Sequence, residues 1–148
     1  MGNKDQRTRM NAWTHIIIHH SLTEDGQTVN WQAIRRYHIV DLGWADIGYH
    51  FGIEWIHRGY EVLVGRPLHH KDGAHTRGMN DKAIGICCVG NFDVQYPMAA
   101  MIVKLVPLVR DLCEIFSIPK DRVMGHRDFS EKSCPGKNFN LELIRQEL

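Results

Sequence analysis

The chain has 148 residues, 43% hydrophobic and 24% charged, and a formal net charge of +1. Such a balance belongs to a soluble globular domain with its own core, not to a disordered segment, and it lacks the basic excess that nucleic-acid binding requires. Ten histidines are the one anomaly, and they direct attention to metal or acid–base chemistry.

In chain order, the opening MGNKDQRTRMNAW has no apolar run of the secretory-signal kind, and residues 1–12 read as a tail before a core spanning 13–148. No stretch is long enough to span a bilayer. Trp13 to His20 is an isoleucine-rich run that predicts a buried strand. Trp31 to Val40, behind the cap candidates Thr28 and Asn30, places Trp31, Ile34 and His38 at helical spacing. After the glycine-bearing break at 43–48, Tyr49 to Ile56 and Tyr60 to Val64 predict a hairpin turning at His57-Arg58-Gly59. Residues 65–82 form a polar loop too long for a mere connector, and Ala83 to Val89 predicts a second buried strand. Pro97 to Phe116 predicts the longest helix, with Pro107 expected to kink it by removing a backbone donor. Asp121 to Met124 predicts a short strand and Leu141 to Leu148 a terminal helix. Strands and helices interleaved in this way imply one α/β domain over 1–148, with a central mixed sheet flanked by helices on both faces.

Cys87 and Cys88 are neighbours in a strand and should point to opposite faces; together with Cys113 and Cys134 they read as reduced thiols of a protein made in a cytoplasm. Most histidines can be assigned without chemistry. His57 belongs to the hairpin turn, His69 and His70 to the loop surface, His15 to the exposed strand start, and His38 to the inner side of its helix as a hydrogen-bonded packing residue. His19 and His20 differ, because they end a buried strand, where α/β sheets present ligands. His126 and Cys134 share a loop after a short strand. Their spacing matches no zinc-finger pattern, so a His-His-Cys metal site and a plain buried cysteine both remain open at this level. Asp128 reads either as a partner of a ligand histidine or as a cap of its loop. Glu24, Asp25, Asp41 and Asp46 show no facing pair of the glycosidase kind, and no G-x-S-x-G elbow occurs. Asn80 and Asn91 read as loop caps.

Six segments then carry a resemblance: IIIHHS at 16–21, GWADIGYHF at 43–51, VLVGRP at 62–67, GAHTRGMN at 73–80, AIGICCVGNF at 83–92 and GHRDFSEKSCPG at 125–136. In this order they resemble the type 2 N-acetylmuramoyl-L-alanine amidases, a class that includes phage lysozyme-type amidases and peptidoglycan recognition proteins. The resemblance runs from Trp13 to Gly136 and implies a mixed sheet flanked by helices. It also implies zinc ligands at His19, His126 and Cys134 and catalytic roles for Tyr49 and Lys132; His75 is the candidate for the groove wall, contacting glycan or peptide. His20 is not a ligand in that pattern.

Three protein ligands leave the fourth zinc position to water, whose pKa falls from about 15.7 to about 7. Tyr49 would orient that water or relay its proton, and Lys132 would stabilise the oxyanion. The implied substrate is peptidoglycan, cut between N-acetylmuramic acid and L-alanine by a monomer that inserts into no membrane. Non-catalytic peptidoglycan-binding modules of the same fold often lack the cysteine or the tyrosine, and both are present here. A phage or prophage lysin reaching the wall through a separate pore fits the missing signal, as does a cytoplasmic enzyme of wall recycling. The YPMAAM opening of the long helix and Pro107 depart from the family pattern.

Overall fold

The computed structural model describes residues 13–23, 30–69 and 72–148. The cap candidate Thr28, the acids Glu24 and Asp25, the loop residue His70 and the 1–12 tail lie outside the described residues.

Five strands form one sheet: β1 His15–His20, β2 Phe51–Ile56, β3 Gly59–Val64, β4 Ala83–Cys88 and β5 Val123–Gly125. Their order is β3-β2-β4-β1-β5, and only the β2–β3 hairpin is antiparallel. The sheet is mixed, as the sequence implies. Strand β1 lies between β4 and β5, which explains a run of three isoleucines: Ile16, Ile17 and Ile18 are each wholly buried. Burial of each is worth about 1.5–3 kcal/mol.

Strand alternation divides the side chains between two cores. On one face, Ile16, Ile18, Ile84, Ile86 and Cys88 pack with Met101, Leu105 and Val109 of helix α2 (Ala99–Phe116) and with Leu141 and Ile144 of helix α3 (Leu141–Gln146). On the other face, Cys87 and Val89 pack with Trp31 and Ile34 of helix α1 (Trp31–Arg36). Cys87 and Cys88 therefore do face opposite ways, and all four cysteines are free. Helix α1 is capped by Asn30, whose side chain accepts from the Ala33 amide at 2.8 Å, while the buried Glu54 carboxylate accepts from the Trp31 amide at 3.2 Å. Among the described residues, no helix is long and apolar enough to cross a membrane.

Several boundaries differ from the sequence reading. The helix expected over 31–40 changes after Arg36 into a wider π turn, Tyr37–Asp41, in which Leu42 donates to the Tyr37 carbonyl. The widened turn lets His38 Nδ1 accept the Gly48 amide at 2.9 Å, a tertiary bond with no helical signature. Tyr49 and His50 precede β2 instead of opening it, because the Tyr49 carbonyl is taken by the Arg66 amide in a loop-to-loop bond. Helix α2 starts at Ala99, with Met98 at its cap, and forms one continuous span through Pro107. Pro107 lies on the exposed side, where water can satisfy the carbonyl four residues earlier. Lys120–Arg122 forms a 3₁₀ turn, which delays β5 to Val123, and α3 ends at Gln146 rather than at Leu148.

Candidate metal centre

The sheet register builds the site. Ile18 of β1 pairs with Gly125 of β5, so His19, next on β1, and His126, the first residue past the end of β5, emerge beside each other at the carboxyl edge. Their ring centroids are 4.6 Å apart. Cys134 returns to the same edge on the loop after β5. Its Sγ accepts the His20 amide at 3.4 Å and lies 3.6 Å from His19 Nδ1. One donor atom from each of His19, His126 and Cys134 lies within 4.8 Å of the others.

That loop is held at many points. Arg127 donates its amide to the Cys134 carbonyl at 2.7 Å and its guanidinium to the carbonyls of Gly136 and Phe139. Asp93 accepts from Ser133 Oγ at 2.7 Å and from the Lys137 amide at 2.8 Å. Gly136 adopts a left-handed φ of 116° so close to Phe92 that an added Cβ would come within 2.4 Å of the Phe92 backbone. Asp128 Oδ2 accepts the Gly125 amide at 2.9 Å, so of its two readings the loop cap is the one that the structure displays. His20 points to the opposite face, where its Nδ1 accepts the Phe92 amide.

All six site residues named from the sequence line one open cavity of about 570 Å³: His19, Tyr49, His75, His126, Lys132 and Cys134. Lys132 is exposed at its rim. Tyr49 is wedged among His19, His38 and Trp31. Two loops place Tyr49 and His75 together: Arg66 donates to the carbonyls of Ile47, Asp46 and Asp72, and the Ala74 amide donates to the Gly48 carbonyl. His38 and Asp93 also line the cavity, and Thr76 stands behind His19; sequence reading gave none of these a place in the site. Of the three, only Thr76 lies inside a matched motif, GAHTRGMN at 73–80; His38 and Asp93 fall outside all six. Asn80 caps its loop as expected, its Oδ1 accepting the amides of both His75 and Thr76 at 2.8 Å.

Burial sets the protonation. It depresses His19 far below the ordinary histidine range, with His75 and His126 adding to the effect, and it lowers His126 with help from Lys132. Both imidazoles are therefore neutral, with lone pairs available. Burial pushes the Cys134 thiol up to about 11, against the opposing pull of the His20 amide and Lys132, so a thiolate there needs a cation beside it. Burial also raises the Tyr49 phenol well above its usual value, with Cys87 and Cys134 contributing.

Two neutral imidazoles and a thiol that only a cation can ionise make a donor set suited to zinc. Bond lengths of about 2.3 Å to sulfur and 2.1 Å to nitrogen imply a tetrahedral edge of about 3.6 Å. The Cys134 Sγ to His19 Nδ1 separation is 3.6 Å. In donor type and on this edge the residues fit the ion, and all three donor atoms lie within 4.8 Å of one another.

Comparison with known proteins agrees with this architecture. Residues 9–137 match the family described as N-acetylmuramoyl-L-alanine amidase. The endolysin of Enterobacteria phage K11 is 30% identical over 142 residues, covering 94% of this chain and 89% of the relative. Peptidoglycan-recognition protein SC2 of Drosophila melanogaster is 32% identical over 144 residues, covering 90% and 73%. Among solved structures, the N-acetylmuramoyl-L-alanine amidase LysC from Clostridium intestinale superposes with a TM-score of 0.79 at 30% identity, covering 93% of this chain and 87% of its own. By the family match over most of its length, by its mixed sheet and by these relatives, the chain belongs to the type 2 N-acetylmuramoyl-L-alanine amidases and is an amide-cleaving enzyme.

Proposed function

We propose that the chain is a zinc-dependent peptidoglycan hydrolase that cleaves the amide between the lactyl group of N-acetylmuramic acid and L-alanine. The observation that carries this reading is the His19, His126 and Cys134 donor cluster, set in the same cavity as Tyr49 and Lys132. Zinc held by those three ligands would polarise the scissile carbonyl and acidify water.

The other residues would provide positioning and charge. Tyr49 keeps its proton on Oη at neutral pH, so its role is to donate a hydrogen bond and orient a reacting oxygen, rather than to act as a base. Lys132, at the rim, carries an ammonium that can face the carbonyl oxygen as negative charge develops there. Hydrolysis adds water across the C–N bond, leaving a lactyl carboxylate and a free L-alanine amine. A cavity of about 570 Å³ falls within the usual range for small-molecule sites and can take a sugar with the start of its stem peptide.

The endolysin relatives support a wall-lysing role, while the recognition-protein relatives keep a binding module of the same fold as the alternative. Purified cell walls separate the two. The expected result is release of soluble fragments with new L-alanine amino termini, abolished by chelation and restored by zinc at one ion per chain. Wall binding without release would establish the binding module, and full activity in metal-free protein would end the zinc assignment.

A further inference from the structure

Beside His19 stands a second histidine that binds no expected ligand, yet both of its ring nitrogens are engaged. His75 Nε2 lies 3.0 Å from the Ala83 carbonyl, and His75 Nδ1 lies 2.9 Å from His19 Nε2 and 2.9 Å from Thr76 Oγ1. Thr76 Oγ1 is also 3.2 Å from His19 Nε2. We propose that His75, assisted by Thr76, is a positioning residue that locks His19 in its Nε2–H tautomer and thereby aims the bare Nδ1 at the metal position.

The protons follow from the partners. A carbonyl only accepts, so in the neutral ring His75 Nε2 carries the hydrogen and His75 Nδ1 carries the lone pair. Were His19 Nε2 also bare, two lone pairs would face each other at 2.9 Å. His19 Nε2 must therefore donate, to His75 Nδ1 and more weakly to Thr76 Oγ1, while the threonine hydroxyl donates to His75 Nδ1. The unprotonated atom of His19 is then Nδ1, the one 3.6 Å from Cys134 Sγ. The Ala83 carbonyl at the start of β4 thus dictates, through one intervening ring, which nitrogen of His19 can bind a cation.

The backbone is shaped to hold that ring. A Cβ on Gly85 would come within 2.4 Å of His75 Cδ2, and one on Gly73 within 2.5 Å of the same atom. Two glycines therefore form the slot in which the imidazole sits, and Asn80 fixes the backbone of residues 75 and 76. With both nitrogens committed to protein, His75 offers substrate no ring hydrogen bond.

The consequence for metal rests on the reading of His19 as a zinc ligand, whereas the tautomer lock does not. Metal-free protein labelled with ¹⁵N in histidine tests the lock directly: a scalar coupling through the N–H···N bond should connect His19 Nε2 with His75 Nδ1. Absence of that coupling, or a proton on His19 Nδ1, overturns the proposal whether or not the chain binds zinc. Zinc affinity measured by chelator competition should then fall about 10–100-fold in His75→Phe, which fills the slot but accepts nothing. His75→Gln, which returns an acceptor, should recover part of that loss. Should His75→Phe fail to fold, Thr76→Val with the wild-type coupling carries the test. Unchanged affinity in every variant that folds would overturn the positioning role. A wild-type chain that binds no zinc but displays the coupling would instead remove the ligand assignment and leave the lock standing.

Discussion

Replacing Tyr49 with phenylalanine separates catalysis from packing with one oxygen atom. The ring is held 5.1 Å from His19, 6.0 Å from His38 and 6.4 Å from Trp31, centroid to centroid, and phenylalanine preserves those contacts. Only the hydroxyl is lost, and with it at most one hydrogen bond. A net loss of about 0.5–1.5 kcal/mol is expected for one such bond. At about 2–4 °C per kcal/mol for a chain of this size, melting should fall by no more than about 6 °C. Loss of a positioned proton-transfer or hydrogen-bonding group at the reacting centre costs about 10²–10⁴-fold in rate. That corresponds to about 2.7–5.4 kcal/mol on the barrier, several times the stability effect. Zinc content, thermal melting and wall-fragment release measured on one preparation give the comparison. The expected outcome is full zinc, a small melting shift and a rate reduced at least a hundredfold. Lys132→Ala should behave alike with a loss of about 10²–10³-fold, and its exposed position predicts a stability change within about 0.5 kcal/mol. Full zinc with turnover within about tenfold of wild type in both variants would refute the roles of this pair and leave a metal site without it.

Two further outcomes follow from the geometry. Cys134→Ala should lose zinc retention, whereas Cys88→Ala, altered in the core on the opposite face, should keep it; equal metal loss in both, measured by equilibrium dialysis, would contradict the ligand assignment. His38 must stay neutral for its Nδ1 to accept the Gly48 amide, and its folded pKa is depressed below 6.5 by burial and then by Arg66. The unfolded chain therefore takes the proton more readily, so the stabilisation is present above about pH 6.5 and is lost as pH falls through the folded value. His38→Gln should flatten that part of the melting-temperature profile as pH falls from about 7 to about 5, through and below the free value of about 6.5, and parallel profiles for wild type and variant would count against it.

Local pattern carries far in this chain. The isoleucine run, the opposite faces of Cys87 and Cys88, the Asn30 cap and the β2–β3 hairpin are all legible because their causes lie within a few residues of one another. The ordered motifs identified the family, and six residues inside those motifs are among those that line the cavity. Their meeting is another matter. His19 and Cys134 are 115 positions apart, and their approach depends on β1 pairing in parallel with β5 in the register that sets Ile18 against Gly125. Neither strand's alternation encodes that register, since a two-residue shift would satisfy the same hydrophobic pattern. The π turn is tied to Gly48 by the tertiary bond to His38, while the 3₁₀ turn that shortens β5 closes on local bonds to the Pro119 and Lys120 carbonyls. His75 shows the limit most clearly. Its motif marks the residue, but its partners are the Ala83 carbonyl and His19, and its slot is made by Gly73 and Gly85 from two different elements. Sequence determined which candidate donor groups this protein has, while only the folded chain, by surrounding each ring with particular donors and acceptors, decided which nitrogen of His19 faces Cys134.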